Sequence, residues 1–120
     1  MPNINAALGC AQLENLDRYV ADKRETAARY VEFFKGKEDI TFFTEPADCK
    51  SNYWLNAVVL KDKAAQLEFL EYTNDHGVMT RPVWELMNRL PMFEHCETDG
   101  LGNTEWLADR VVNIPSSVRL

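Results

Sequence analysis

The chain has 120 residues, of which 46% are hydrophobic and 27% charged, and its 13 lysines and arginines stand against 19 aspartates and glutamates, a net charge of −6. This length suits one domain with one hydrophobic core, and the composition is that of an ordinary globular protein. The acidic balance argues against nonspecific binding to nucleic acid or to an anionic membrane surface, while a local basic pocket for a phosphate stays open.

The three cysteines, Cys10, Cys49 and Cys96, are far apart and odd in number. This pattern argues against a disulfide framework and favours a reducing, cytoplasmic location. No apolar run reaches the roughly 18 residues that a membrane span needs, and the N-terminal residues lack the basic stretch of a signal peptide.

The N-terminal third predicts one long helix from about Asn5 to Phe34, capped by Asn3 or Asn5 and ended at Gly36. Its second half carries apolar residues on one stripe and charged residues opposite, as surface helices do. Its first half is apolar nearly all round, which is typical of a buried helix: Ile4, Ala6, Ala7, Leu8, Cys10, Ala11 and Leu13. We therefore expect another domain or another subunit to cover it.

The middle of the chain predicts strands with one helix between them. Three segments rich in β-branched and aromatic residues predict strands: residues 40–44, 53–60 and 78–80. Residues 64–76 predict a helix, with Asp62 as its N-cap and Gly77 as the left-handed residue after its end. The third strand is expected to stop before Pro82, since proline cannot extend a central ladder.

The C-terminal part gives a weaker pattern. Residues 84–90 predict one or two helical turns. A last helix over residues 105–111, with Trp106 and Leu107 buried, precedes a strand over residues 112–114. The order α-β-β-α-β-α-β predicts an α+β fold, a two-layer sandwich with helices on one face of a small, mostly antiparallel sheet.

Arg81 is the most promising candidate for function, because it ends a predicted strand just before an irregular stretch that contains Trp84. Strand ends of this kind often supply binding groups, and a guanidinium suits a carboxylate or a phosphate. An arginine that caps carbonyls or pairs with Glu85 is the structural alternative, and the residues leave both open. The rings of Trp54 and Trp84 can stack on a ligand, although core or interface packing is the favoured interpretation.

His95 and Cys96 are the other candidates for chemistry. Adjacent residues on a loop seldom converge on one point, so we interpret them as packing and surface residues rather than as a metal site or a nucleophile pair. Glycine is scarce, and no G-x-G-x-x-G or other phosphate loop is present. The residues alone therefore predict no metal site and no catalytic residue in this chain.

Four blocks, in order along the chain, resemble the DegT/DnrJ/StrS aminotransferases, pyridoxal-phosphate (PLP) enzymes that make amino sugars on nucleotide carriers. The first, residues 1–14, is similar to the family's R-M-P-N-x-N-A-A-L-G-x-A-Q-L-E and is the most specific. The other three are similar to G-I-x-T-R-P-x-W/F, x-P-x-Y/F and A-x-x-L-x-x-x-x-x-N-L-P-S: Gly77 to Trp84, Leu90 to Phe93, and Trp106 to Ser117.

The resemblance implies the small domain of a fold-type I PLP aminotransferase. Residues 1–36 would be a long helix linking to a large domain absent from this chain, and residues 37–120 the C-terminal α+β domain. In the family the Schiff-base lysine and the aspartate that pairs with the cofactor ring lie upstream, and no lysine here matches that motif. We therefore expect PLP in the intact enzyme only, with no cofactor bound to this chain and no catalysis by it alone.

The resemblance also implies substrates, partners and site residues. The intact enzyme would transfer an amino group from glutamate to a nucleotide-linked keto-sugar, as a homodimer joined through the N-terminal helix region. Arg81 and Trp84 are candidates for the sugar-substrate site. Asn88 is the third, because it stands where many relatives have a histidine, in W-x-L-x-H.

A second hypothesis comes from a different functional class: a free-standing acidic module for ligand sensing or protein interaction, dimeric through its N-terminal helix. The spacing of Ile4, Leu8, Ala11 and Leu13 does not keep strict heptads, which counts against it. Under either hypothesis, the apolar first half of the helix is expected to drive self-association of the isolated chain.

Overall fold

A computed structural model describes residues 2–119, so that Met1, the first residue of the first family-like block, and Leu120 lie outside the described residues. The elements follow in chain order: α1 (Asn3–Glu14), α2 (Leu16–Phe34), β1 (Ile40–Phe42), β2 (Asn56–Leu60), α3 (Lys63–Asp75), β3 (Arg81–Pro82), a 3₁₀ turn (Met87–Arg89), α4 (Gly102–Ala108) and β4 (Val111–Ile114).

The four strands form one sheet in the order β1-β2-β4-β3, and every neighbouring pair is antiparallel. The central pair places Asn56 opposite Ile114 and Val58 opposite Val112. The predicted small α+β fold with an antiparallel sheet is confirmed, since α2 and α3 pack against the sheet through a shared core.

The core lies between one face of the sheet and these two helices. Alternate strand residues point into it, as the two-residue period of a strand requires: Phe42, Val58, Leu60, Val112 and Ile114. Ala27 is the buried contact from α2, and Tyr30 and Phe34 from the same stripe pack beside it. The Tyr30 and Phe42 rings stack with centroids 5.7 Å apart.

The long N-terminal helix was predicted as one element, and the structure divides it at Asn15. The Asn15 side-chain amide donates to the Ala11 carbonyl (2.9 Å), while its backbone amide donates to Gln12 three residues back (3.2 Å). An asparagine that bonds to nearby backbone groups competes with the regular helix ladder, which accounts for the division. The predicted asparagine cap is also wrong: Pro2 holds the N-cap position and no side chain caps α1.

Predictions further along the chain are mostly confirmed, with shifted ends. Asp62 caps α3 by accepting from the Ala65 amide (2.8 Å), and Gly77 has a φ of +76°. The third strand is not residues 78–80 but β3, which includes Pro82; as β3 is the last strand of the sheet, proline is tolerated there. The last helix begins earlier than predicted, and Trp106 and Leu107, both predicted buried, are 50% and 42% exposed.

The α1 helix stands apart from this core. None of its described residues is buried, and Ile4 is 81% exposed. The Cα radius of gyration, 17.6 Å, exceeds the about 14 Å expected of a compact domain of this length. The apolar helix that the sequence predicts to need a cover therefore has none among residues 2–119.

Candidate functional site

The main cavity, of about 730 Å³, lies at the β3 edge of the sheet. Four parts of the chain line it: the segment before β2, the segment around β3, the end of β4, and one residue of α2. Segments that lead into and out of strands are common places for binding groups, because a rigid sheet fixes their ends while their side chains stay accessible.

Lys23 of α2 ties two walls of the cavity together. Its ammonium group donates to the Ser116 carbonyl (2.5 Å) and to the Trp54 carbonyl (3.4 Å). The Ser116 hydroxyl in turn accepts from the backbone amide of Asn56 (2.7 Å) and donates to the Ile114 carbonyl (2.8 Å). These bonds fix the segment after β4 against the start of β2.

Arg81 lies on the same wall as Asn113, its antiparallel partner in β4, and both line the cavity. Arg24, Arg89 and Arg119 each contact a carboxylate, whereas Arg81 is exposed and has no carboxylate partner among the described residues. The lining contains two cationic side chains and, within residues 2–119, no acidic one. In a chain of net charge −6, such a lining favours an anionic ligand.

Trp84 lines the cavity together with Arg81, so the structure brings these two predicted site residues to one place. Trp84 is 84% exposed and therefore is not a core residue. Asn88 lies elsewhere, on the 3₁₀ turn, where it lines a second cavity of about 460 Å³. The structure thus joins two of the three predicted residues and separates the third.

The loop between β1 and β2 is held by an ion pair. Arg24 of α2 donates to both carboxylate oxygens of Glu45, at 2.7 and 3.0 Å, and to the Ser51 carbonyl (2.5 Å). The Arg24 hydrogen bonds and the Ser51 backbone amide lower the pKa of Glu45 to about 2 from its ordinary 4.5. The same pairing raises the pKa of Arg24. Both groups therefore remain charged at neutral pH.

Two cavity residues, Lys23 and Trp54, are absent from the predicted site. For Trp54, within a strand predicted over residues 53–60, the sequence favours packing over stacking on a ligand. The strand in fact begins at Asn56, and Tyr53 before it has a left-handed φ of +46°. Trp54 therefore lies outside the strand and lines the cavity, a position that the predicted strand does not indicate.

The residues of the cavity do not by themselves fit PLP. The cofactor needs a lysine free to form an imine and an acidic partner for its ring nitrogen. Lys23, the lysine that lines the cavity, has its ammonium group bonded to two carbonyls. No aspartate or glutamate lines the cavity in the part of the chain that the structure describes. A cofactor site in this cavity would therefore need a lysine and an acidic group that its described lining does not supply.

Cys10, Cys49 and Cys96 are free and exposed. No cluster of three metal-ligating side chains occurs among residues 2–119. None of the described helices has the length and apolar character needed to cross a bilayer.

Comparison with known proteins gives one consistent family. The sequence profile of the DegT/DnrJ/EryC1/StrS aminotransferase family matches residues 1–120. GDP-perosamine synthase of Escherichia coli O157:H7 is 30% identical over 121 residues, which cover 97% of this chain and 31% of that protein. This chain thus spans about a third of the length of that relative.

Solved structures agree in fold. A sugar aminotransferase from Micromonospora echinospora superposes with a TM-score of 0.79 at 26% identity, over 95% of this chain and 30% of that one. The aminotransferase TlmJ from Streptoalloteichus hindustanus superposes with a TM-score of 0.85 at 23% identity, over 93% of this chain and 30% of that one.

Proposed function

This chain belongs to the DegT/DnrJ/EryC1/StrS aminotransferase family, and we propose that it is the C-terminal part of a PLP-dependent enzyme that transfers an amino group from glutamate to a nucleotide-linked keto-sugar. The observation that carries the proposal is a cavity lined by Arg81 and Trp84, without acidic side chains among the described residues, in a chain that matches the family throughout. Family membership favours this function over a free-standing ligand-sensing module.

The role of the chain in that enzyme is to bind and orient substrate. The Arg81 guanidinium offers parallel donors to a phosphate or a carboxylate, and the Trp84 indole offers an apolar face beside it. Holding a substrate in a reactive orientation is itself a large part of catalysis. Asn88 remains a weaker candidate, because it lies in a separate cavity and would have to act from there.

The cofactor would be held by parts of the enzyme outside this chain. PLP supplies the electron sink of transamination when bound, and the cavity offers neither an available lysine nor an acidic partner among its described residues. We therefore propose that the chain alone is inactive. Residues 1–36 would link it to a large domain and residues 37–120 would form the small domain.

The bare α1 helix supports the remaining proposals. An apolar helix exposed along its length is unfavourable in water, and a large domain or a second subunit would cover it. We propose a homodimer joined through this region. A cytoplasmic location fits the three free, exposed cysteines, which would persist in a reducing compartment.

The test uses the full-length protein that contains this chain, incubated with PLP, glutamate and a set of nucleotide-linked keto-sugars. Arg81→Lys should raise the KM for one of the two substrates at least tenfold, because a lysine cannot replace a bidentate fork. Arg89→Lys is the matched control: Arg89 makes surface pairs with Glu85 and Glu105 outside the cavity and should behave as wild type. Amino transfer unaffected by Arg81→Lys would contradict the assigned site.

A further inference from the structure

Trp54 is an aromatic side chain whose exposure has no explanation in the packing of the chain. It is 65% exposed and lines the main cavity. Trp106, the other tryptophan of intermediate exposure, differs because the Arg110 guanidinium covers its ring at 4.6 Å. Trp54 has no ring or cation stacked on it among the described residues, so a large apolar face is left to water within the cavity.

The residue before Trp54 has a strained backbone conformation. Tyr53 has a φ of +46°, a value that bulky side chains rarely adopt. Such a conformation costs of the order of 1–3 kcal/mol and persists only where the surroundings impose it. The Tyr53 amide donates to the Ser51 hydroxyl (3.0 Å), and the Trp54 amide donates to the Asn52 side-chain oxygen (3.0 Å). These bonds fix the chain on both sides of the strained residue.

The ion pair between Arg24 of α2 and Glu45 of the loop also contacts this turn. The Glu45 carboxylate accepts from the Ser51 amide (2.5 Å) as well as from Arg24. The Arg24 guanidinium lies 5.6 Å from the Tyr53 ring centroid, and the Tyr53 hydroxyl accepts from the Glu45 amide (3.3 Å). These contacts fix the strained turn directly before Trp54, which lines the cavity.

We propose that Trp54 is a ligand-contact residue that stacks on the nucleobase of the sugar-carrying nucleotide, and that Arg24 and Glu45 are positioning residues for it. The proposal rests on the proposed function, whose site it extends. A tryptophan face suits any nucleobase, because every base has a flat π-surface. The cationic lining suits the diphosphate that follows the base: Lys23 and Arg81 line the cavity, without an acidic neighbour among the described lining residues.

The direct test is binding of nucleoside diphosphates without sugar to the full-length protein, measured by calorimetry with the guanosine, uridine and thymidine compounds. Trp54→Ala should weaken the preferred diphosphate about tenfold or more, and Trp54→Phe should restore most of the affinity. Trp106→Ala is the matched control and should bind as wild type. Unchanged affinity in Trp54→Ala, or binding of none of the three diphosphates by the wild type, would overturn the proposal.

Kinetics separate this proposal from the function on which it rests. In Trp54→Ala the KM for the nucleotide-linked sugar should rise about tenfold while kcat and the KM for glutamate hold, since base stacking is the same in ground and transition states. A wild-type protein without amino transfer to any nucleotide-linked sugar would refute the proposed function. Transfer with a normal sugar KM in Trp54→Ala would refute only the role of Trp54.

The positioning pair is tested by Glu45→Gln, with Asp39→Asn as control. Asp39 makes an exposed pair with Lys61 away from the cavity. Glu45→Gln should weaken diphosphate binding about threefold without lowering kcat, and Asp39→Asn should change neither. If Glu45→Gln lowered kcat in proportion to the fraction of folded protein and left the diphosphate affinity intact, the ion pair would be purely structural. That result would overturn the positioning role of Arg24 and Glu45.

Discussion

The helices α1 and α2 follow each other directly in the chain but meet opposite surroundings. The α2 helix has a single apolar stripe and places it on the sheet, with Ala27 buried and Tyr30 and Phe34 packed beside it. The α1 helix is apolar nearly all round and buries none of its residues. A one-sided stripe is satisfied within one domain, whereas an all-round apolar surface needs cover that residues 2–119 do not supply.

The sharpest way to test this difference is to remove one large apolar side chain from each region. Phe42→Ala should destabilise the chain by about 3–5 kcal/mol, because Phe42 is buried among three aromatic rings. Leu8→Ala should change the free energy of unfolding by no more than about 0.5 kcal/mol, since Leu8 is exposed on α1. Urea unfolding measures both. Equal losses would mean that α1 packs on the domain after all.

The bare helix should also make the isolated chain self-associate. The triple variant Ile4→Gln, Leu8→Gln and Leu13→Gln should sediment as a monomer at concentrations where the wild type forms dimers or larger species. A matched triple change of exposed polar residues on α2, at Asp17, Arg18 and Glu32, should leave association unchanged. A wild-type chain that stays monomeric at high concentration would contradict the account of α1.

Low pH should have a smaller effect on the stability of the chain, because it protonates Glu45 in the ion pair between α2 and the loop. The pKa of Glu45 is about 2 in the folded chain and lies below its ordinary 4.5. A lowered pKa adds stability above pH 4.5, and that contribution is lost as pH falls toward 2. In Glu45→Gln, the urea midpoint should therefore decrease less than in the wild type as the pH falls from 4.5 to 2. A slope identical to the wild type would show that other carboxylates govern it.

The smallest effect is expected from a glycine substitution in α1, which should change helix content without changing the global stability. Gly9 lies inside α1 with open space around it, so Gly9→Ala should raise helix content through an intrinsic preference of about 0.5–1 kcal/mol. Because no residue of α1 is buried in the described chain, the midpoint of global unfolding should not move. Gly77→Ala is the contrast: its φ of +76° makes any side chain cost about 1–2 kcal/mol. Circular dichroism and urea unfolding together distinguish the two.

The fold was largely predictable because local patterns and the core agree. The first two strands, the Asp62 cap and the left-handed Gly77 are encoded by neighbouring residues, and the structure confirms them with shifted strand ends. The division at Asn15 was not predictable. It depends on whether the Asn15 side-chain amide donates to the Ala11 carbonyl or to water, and the sequence does not determine which. The edge position that admits Pro82 depends on strand order, which no local pattern contains.

The site was predictable in part. Arg81 and Trp84 are close in sequence, and both line one cavity. Trp54 and Lys23 come from distant segments, and their convergence depends on the Tyr53 turn and on bonds across the fold. The separation of Asn88 from Arg81 likewise depends on the path of the 3₁₀ turn, which residue spacing does not determine.

The most direct test of the central claim is a titration of the purified 120-residue chain with PLP, followed by absorbance for a lysine imine and by an assay for amino transfer from glutamate. The account predicts no specific imine band and no turnover, because the cavity at β3 has, among its described lining residues, no available lysine and no acidic side chain. A saturable imine band with turnover would place the chemistry in this chain and contradict the account.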